Sequence, residues 1–384
     1  MIPSDLLEKL SQLRRQLHIN AELSGNEKKT VTILNQFIRN YSPDKIIPEI
    51  GKTGIAYIYN GIKSGPVLLI RADLDAVPIQ EPREIRWASI NAGVSHKCGH
   101  DGHMAILAGL AAMLSEKRTE YGKVVLLFQP SEENGKGAFN VINDKNFSQI
   151  EPDYAVALHN IPGFEMGTVL LKKGTFSLAS KGIRFAFYGI SSHACEQAKG
   201  INPLFSVTEF ITAVKKYADI NNISSNVTVC HVQIGEPSFG LCPGFANVYI
   251  TVRAQSGAAI QTITDDLIMT ARKECEKNSI TLKCDFHDEF PETSNNSTVV
   301  DFCKKTALTA GLKTKELKNP FSWSEDFGYF TSNYKGTLVG LGSGLTTPPL
   351  HHPNYDFPDE LIPFGVHFLF NLTKKNLKTE IVKK

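Results

Sequence analysis

The sequence predicts an α/β protein in which a ferredoxin-like α+β domain is inserted into a layered helix-sheet-helix domain. Short runs of Val, Leu and Ile alternate with helix-forming segments in the first half, alternating strands follow after about residue 180, and apolar runs return near residue 337. A chain of 384 residues is long enough for two or three domains. We therefore expect an outer domain made of residues 1–179 and 289–384 and an inserted domain at 180–288.

Continuous apolar runs predict strands that are buried on both faces of a sheet. These runs, each rich in Val, Leu or Ile, are residues 66–71, 124–128, 154–158 and 337–340. Segment 103–114 consists of good helix formers and is apolar enough to be a buried helix. Strand, helix and strand in succession are typical of a layered α/β domain.

The middle of the chain has the pattern of a ferredoxin-like domain. The predicted strands are residues 182–189, 226–233, 246–253 and 280–286. Helices are predicted for residues 203–220 and 258–277. The resulting order of strand, helix, two strands, helix and strand is the ferredoxin-like order.

Charge and composition limit the classes of function. Lys and Arg total 41 and Asp and Glu total 39, and this net charge of +2 gives no reason to expect binding to nucleic acid or to an anionic membrane. The apolar runs are far shorter than the roughly 20 residues that a membrane span needs. Charged residues near the N-terminus predict a helix rather than a secretory leader. Seven scattered cysteines are a poor disulfide framework, so we expect a cytoplasmic protein.

The densest cluster of chemically reactive side chains lies just before the predicted buried helix. Residues 96–103 offer three imidazoles, one thiol and one carboxylate. Cys98 and His100, separated by one glycine, could reach one metal ion from a single tight turn, and thiolate and imidazole are ligands for zinc. The cluster predicts a metal site, and a polar turn that caps the helix is the alternative.

Further candidate ligands lie beyond the ends of predicted strands. In chain order they are Glu132 and Glu133, His159, and His351 with His352. The reactive crevice of an open α/β sheet lies outside the carboxyl ends of its strands, so we expect these side chains to converge. Adjacent Glu side chains diverge, so one could bind metal while the other takes a proton from an activated water. A solvated loop pair is the alternative for Glu132 and Glu133.

Three other polar positions have more than one interpretation. Asp73 and Asp75 lie on the same side of a strand end and could bind metal, orient a metal-binding imidazole or cap a turn; we favour the orienting role for Asp75. The acidic turn 324–326 fits a structural or a functional role equally. A lone histidine such as His193 is more often structural than functional.

The motifs, taken in order, resemble the metal-dependent amidohydrolase branch of the aminoacylase/carboxypeptidase family. They are Leu13–His18, Glu22–Gly25, Arg71–Pro78, His96–His103, Phe128–Glu133, His159, Ser192–Ala194, Gly200–Pro203, Ser324–Phe327, His351–Phe357 and Asp359 with Glu360. The branch includes hippurate hydrolase, the indole-acetyl-amino-acid hydrolases and bacterial N-acyl-amino-acid deacylases. The resemblance extends over nearly the whole chain, and it implies a metallo-exopeptidase-like catalytic domain.

The resemblance also implies a site for two divalent metal ions, zinc or manganese first and cobalt or nickel as alternatives. The implied ligands are Cys98, His100, Glu133, His159 and His351. Glu132 would be the general base, and Asp75 is counted with it among the catalytic residues. His193 would help to polarise the scissile carbonyl, in its own or a neighbouring subunit's site. The inserted domain would act as a lid and could form a homodimer.

We therefore expect a metal-dependent amidohydrolase that cleaves the amide bond of an N-acyl amino acid or a similar small conjugate. The alternatives are a dipeptidase or carboxypeptidase of the same family, a thiol hydrolase that uses Cys98 with His100 or His103 as base, and a catalytically silent metal-binding homologue. Two stretches depart from the family pattern: the short segment 243–247, and Cys195 where proline is common. Both lie on the substrate side, so they concern the identity of the substrate.

Overall fold

The computed structural model describes residues 2–221 and 225–374, which divide into two compact units. The first unit comprises the residues up to 176, residues 293–320 and those from 326 onward, and the second comprises residues 177–292 and 321–325. The chain therefore leaves the first unit, forms the second and returns. Whether the second unit acts as a lid or a dimerisation domain stays a prediction.

The division differs from the boundaries expected from the sequence. Residues 177–179 and 289–292 extend the second unit at both ends, and segment 321–325, also expected in the outer domain, joins it. The reason is a tertiary contact: the backbone N–H of Leu178 bonds to the carbonyls of Phe321 at 3.3 Å and Trp323 at 3.1 Å. No local pattern indicates a bond between residues so far apart in the chain.

The helices and strands have the following bounds. The helices are α1 (Ser4–Ile19), α2 (Lys28–Ile38), α3 (His100–Glu116), α4 (Gly137–Ile142), α5 (Leu204–Asn221), α6 (Gly257–Glu276), α7 (Ser297–Thr309), α8 (Gly328–Asn333) and α9 (Ile362–Thr373). The strands are β1 (Lys45–Ile50), β2 (Gly54–Asn60), β3 (Lys63–Asp73), β4 (Tyr121–Gln129), β5 (Tyr154–Ile161), β6 (Val169–Leu171), β7 (Gly174–Ser177), β8 (Ala179–Tyr188), β9 (Ser192–His193), β10 (Ser225–Ile234), β11 (Leu241–Cys242), β12 (Phe245–Ala254), β13 (Thr281–Phe290), β14 (Thr293–Asn295), β15 (Thr314–Glu316) and β16 (Lys335–Gly342). Across the described residues, none of the helices is both long enough and apolar enough to cross a membrane.

The first unit is built on a mixed sheet with strand order β1-β2-β4-β3-β5-β16-β6-β15. Its central strands β4, β3, β5 and β16 are parallel, so their carboxyl ends meet at one edge. Each contains one of the apolar runs identified in the sequence, and β5 is buried at every residue. The predicted α/β fold class is confirmed.

Helix α3 lies in the core of the first unit, and its first residue, His100, lies at the sheet edge. From His100 to Leu114 every residue except Met113 is buried. The helix packs against α1, α2 and α9, and its own residues contribute to the largest apolar cluster of the unit. Large-to-small changes in such a core cost about 2–5 kcal/mol. Because α3 begins at His100, this packing also fixes the turn that precedes it.

The second unit contains an antiparallel sheet with strand order β10-β12-β8-β13. The chain order β8, α5, β10, β12, α6, β13 is the ferredoxin-like order expected from the sequence. Helices α5 and α6 pack against each other and on this sheet, where Phe210 lies 4.8 Å from Phe185 and 5.8 Å from Phe187 between ring centroids. The sequence pattern therefore identified the second unit correctly in kind.

Candidate metal centre

The turn before α3 brings Cys98 and His100 to the carboxyl edge of the sheet. Gly99, between them, has a φ of +90°, which favours glycine. A Cβ atom there would lie 2.7 Å from Asn160 Oδ1 and 2.8 Å from the Tyr355 hydroxyl oxygen. The close approach of these groups therefore requires glycine, and the turn can present a thiol and an imidazole together.

The five predicted metal ligands form two close groups that share Cys98. The ligand atoms of Cys98, His100 and His159 lie within 4.8 Å of each other, and so do those of Cys98, Glu133 and His351. Cys98 belongs to both groups and lies between them. Its Sγ is 3.5 Å from His159 Nε2, and His351 Nε2 is 3.5 Å from Glu133 Oε1.

These separations fit pairs of ligands around metal ions. Two donors bound to one tetrahedral metal at 2.0–2.3 Å lie about 3.3–3.8 Å apart. The His100 Nδ1–H donates to the Asp75 carbonyl at 2.8 Å, which leaves Nε2 as an acceptor. This Nε2 atom is buried, has no hydrogen-bond partner among the described residues, and lies 3.7 Å from Glu133 Oε1. Two acceptors facing each other at this distance fit a shared cation, so the residues suit a metal.

The charges of the site favour cations as well. Burial and the nearby Glu133 carboxylate raise the pKa of Asp75 to about 8. Burial and the neighbouring imidazoles of His103 and His159 lower the pKa of His100 well below its ordinary value. The imidazole is therefore neutral, which is the form that binds metals, while the crowded carboxylates favour a positive ion between them.

His159 is held in the orientation that a ligand needs. It lies inside β5 rather than after it, so the strand continues three residues further than the apolar run indicated. Its Nδ1–H donates to the carbonyl of Asn160 at 2.9 Å, which leaves Nε2 as the nitrogen that faces Cys98. A backbone acceptor of this kind fixes the tautomer and the ring orientation of a ligand imidazole.

His351 reaches the site from the loop after β16. Its backbone N–H donates to the carbonyl of Lys97 at 2.8 Å, next to Cys98. His351 and the neighbouring His352 are both exposed, but His352 Nδ1 accepts the backbone N–H of Asn354 at 3.1 Å, whereas His351 Nε2 lies 3.5 Å from Glu133 Oε1. The geometry therefore separates the two adjacent histidines.

Asp75 holds the turn that carries the two glutamates. Its Oδ1 accepts the backbone N–H of Glu132 at 3.1 Å, and its Oδ2 accepts that of Glu133 at 3.0 Å. The carboxylate is 3.8 Å from His100 Nδ1, too far for a hydrogen bond, and the imidazole is oriented by the Asp75 carbonyl instead. The side chain thus contacts the Glu turn rather than the imidazole that the sequence analysis favoured.

Glu132 is buried beside the ligands. Its Oε2 lies 3.9 Å from His100 Nε2, and it forms a further close group with His100 and Glu133. The side chains of Glu132 and Glu133 thus both reach the cluster. A carboxylate in this position can take a proton from a water molecule activated there.

A buried charged network links α1 to the turn before α3. His18 bonds to Asp101 at 2.8 Å through Nδ1 and to Glu81 at 2.9 Å through Nε2, and Arg14 contacts Asp101 at 3.2 Å. Lys97 Nζ lies 2.5 Å from Glu81. From the sequence, this part of α1 contributes only to the family resemblance. Charged residues spaced four apart on the apolar face of a helix were the signal that could have revealed the network.

Asp326 and Asp73 take part in a second buried network. Asp326 accepts from Arg71 Nη2 at 2.6 Å, from Gln129 Nε2 at 2.9 Å and from the Ala138 N–H at 2.7 Å. Arg71 also pairs with Asp73. These bonds tie β3 to β4 at the sheet edge, which favours a structural role for Asp326.

His193 belongs to the second unit. It lies in β9, opposite Leu241 of β11, and its Nδ1 accepts the backbone N–H of Cys195 at 3.2 Å. The imidazole is exposed. Its expected role at the scissile carbonyl stays a prediction.

Comparisons with known proteins identify the family of the chain. The sequence profile described as Peptidase family M20/M25/M40 matches residues 69–375. Hippurate hydrolase of Campylobacter jejuni is 30% identical over 97% of this chain and 98% of its own length. N-acetyl-L-cysteine deacetylase of Bacillus subtilis is 28% identical over 97% of this chain and 89% of its own.

A similar solved structure is described as binding two metal ions. A protein of Bacillus subtilis, described as a dinuclear metal binding peptidase from the M20 family, has a TM-score of 0.84 and 25% identity, and the match covers 98% of this chain and 100% of that one. With the overlapping ligand groups, this likeness supports a site for two metal ions. The chain belongs to peptidase family M20/M25/M40, in its amidohydrolase branch, and is a hydrolase that acts on amide bonds.

Proposed function

We propose that the protein cleaves the amide bond of an N-acyl amino acid or a similar small conjugate, with Glu132 as general base. The observation that carries the proposal is the pair of ligand groups sharing Cys98, with the Glu132 carboxylate beside them. The names of two relatives, hippurate hydrolase and N-acetyl-L-cysteine deacetylase, support this class of substrate.

The roles of the residues follow from their positions. The proposed ligands are Cys98, His100, Glu133, His159 and His351. When bound, the two metal ions lower the pKa of water and polarise the scissile carbonyl. Glu132 accepts the proton of the attacking water and delivers it to the leaving amine, while Asp75 holds the turn that carries Glu132. His193 donates to the oxygen of the scissile carbonyl as its negative charge develops.

The metal and the setting belong to the same proposal. A thiolate ligand suits zinc, and the carboxylate and imidazoles also suit manganese, with cobalt or nickel as alternatives. We further propose that the enzyme acts in the cytoplasm and that the second unit mediates a homodimer. Hydrolysis assays with N-acetyl, N-benzoyl and indole-acetyl amino acids and with dipeptides, each metal being added to stripped protein, identify the substrate and the metal.

Replacement of the proposed base tests the mechanism. Glu132→Gln keeps the shape of the side chain but cannot accept a proton, so we expect two metal ions per chain and a turnover about 10²–10⁴-fold lower. Metal content is measured by atomic absorption and turnover with the best substrate of the screen. Glu8→Gln, the same change at an exposed position of α1, is the control and should retain full turnover.

Two results would count against the proposal. Turnover retained in Glu132→Gln would remove Glu132 from the role of base. Activity that survives a chelator but is lost to a thiol alkylating reagent would favour the thiol hydrolase with Cys98 as nucleophile. That alternative leaves the positions of Glu132, Glu133 and His351 around Cys98 without a role.

A further inference from the structure

We infer that Glu27 is a positioning residue that holds the backbone of the general base Glu132 in its working geometry. The inference rests on the proposed function, because it takes Glu132 as the base. Glu27 lies in the loop between α1 and α2, more than a hundred residues before Glu132. It is fully buried, although carboxylates are rarely buried without a specific partner.

Glu27 contacts the turn that precedes Glu132. Its Oε1 accepts the backbone N–H of Ser131 at 2.9 Å and that of Gly25 at 2.7 Å. Its Oε2 accepts the hydroxyl of Thr53 at 2.6 Å. Among the described residues Glu27 forms no ion pair with Lys, Arg or His, so neutral hydrogen-bond donors satisfy its two oxygens.

Glu27 and Asp75 together hold three consecutive amides. The Ser131 N–H bonds to Glu27, and the N–H groups of Glu132 and Glu133 bond to Asp75 at 3.1 and 3.0 Å. The loop before α2 supports this pair further, because the Ser24 hydroxyl donates to Asp75 Oδ2 at 2.7 Å. Every backbone N–H of the segment from Ser131 to Glu133 is thus fixed by a buried carboxylate.

The conformation of Ser131 shows why such support is needed. Its φ is +58°, a left-handed conformation that is strained for a non-glycine residue. Such a conformation persists only where its surroundings determine it. Without the bond to Glu27, Ser131 can relax and carry Glu132 with it, and a displacement of about 1 Å costs on the order of 10²-fold in rate.

Two substitutions distinguish the effect of the length of the Glu27 side chain from the effect of its negative charge. Glu27→Gln keeps the length of the side chain, so its carbonyl oxygen still accepts the Ser131 N–H while its amide donates to Thr53. Glu27→Asp keeps the charge but is one methylene too short to contact both. A positioning role therefore predicts that the neutral Gln variant is active and the charged Asp variant is not.

The experiment measures kcat, KM, metal content and thermal unfolding of the metal-loaded full chain. For Glu27→Asp we expect kcat to fall about 10²-fold, with KM and two metal ions per chain unchanged. For Glu27→Gln we expect kcat within about fivefold of the parent, since hydrogen bonds to neutral donors remain. Thr53→Val, which removes the bond on the side away from the turn, is the matched control and should lower thermal stability without lowering kcat.

Several outcomes overturn the inference. They are a full loss of kcat in Glu27→Gln, wild-type kcat in Glu27→Asp, and a fall of kcat in Thr53→Val as large as in Glu27→Asp. If Glu27→Asp does not fold, the kcat of Glu27→Gln still shows whether the turn needs the negative charge of Glu27 or only a side chain of this length. Glu132→Gln is assayed beside them: its activity would remove the proposed function, whereas an inactive Glu132→Gln with an active Glu27→Asp removes only the role of Glu27.

Discussion

At the scale of single residues, the adjacent histidines His351 and His352 show how geometry divides similar side chains. His351 Nε2 lies 3.5 Å from Glu133 Oε1, whereas the His352 imidazole accepts a backbone N–H of its own loop. The sequence alone offers two equivalent imidazoles here. The resemblance selects the first, and the described contacts support that choice.

His351→Ala should therefore remove one metal ion, because the group with Cys98 and Glu133 loses a ligand. We expect metal content to fall from two ions to about one per chain after dialysis, with loss of turnover. His352→Ala, one residue away, should retain both ions. Loss of metal from the His352 variant with retention in the His351 variant would exchange the two assignments.

The residues that sequence reasoning identified and those that it missed differ in a physical way. The proposed ligands Cys98 and His100 are recognisable because metal chemistry restricts the residue type and the spacing. Glu27 and His18 act through contacts with residues far away in the chain, and a single carboxylate or imidazole in a polar loop or a helix carries no such restriction. Only the fold reveals that both are buried.

At the scale of elements, α1 is joined to the turn before α3 by a buried charged group. Burial alone would lower the pKa of His18, but its hydrogen bonds to Asp101 and Glu81 outweigh burial and raise the pKa to about 9. Glu81 also contacts Lys97, one residue before Cys98. The positive charge of His18 thus helps to hold α1 against the turn before α3.

This pKa predicts a pH-dependent stability. Because the folded pKa of about 9 lies above the ordinary value of 6.5, the stabilisation is complete below pH 6.5 and is lost as the pH rises through 9. A shift of this size corresponds to about 3 kcal/mol of the free energy of unfolding. Urea unfolding from pH 6 to 10 should show this loss in the parent and not in His18→Gln.

The control for this measurement is His231→Gln, at an exposed histidine of the second unit. It should keep the pH dependence of the parent. Equal pH dependence in His18→Gln and the parent would show that the His18 charge does not stabilise the fold.

The elements themselves were largely predictable. The apolar runs of β3, β4, β5 and β16 identified the central strands because a strand buried on both faces needs an apolar side chain at nearly every position. The predicted end of β5 was wrong, because the polar residues His159 and Asn160 continue the strand at the site. Strand ends that carry functional polar residues do not follow the apolar pattern.

At the scale of the whole molecule, residues 177–179, 289–292 and 321–325 were expected in the outer domain and belong to the second unit. Hydrophobic periodicity predicts the positions of helices and strands. It does not indicate which distant segments of the chain contact each other. The convergence of ligands was nevertheless predictable, because parallel strands deliver their carboxyl ends to one edge.

The most direct test of the account is anomalous diffraction from zinc-loaded crystals, with data collected on both sides of the zinc absorption edge. We expect two anomalous peaks, each at about 2.0–2.3 Å from its ligand atoms, with Cys98 Sγ in contact with both and Glu132 bound to neither. The predicted ligands are Cys98, His100, Glu133, His159 and His351. A single peak, a peak away from these side chains, or Glu132 bound directly to zinc would contradict the account.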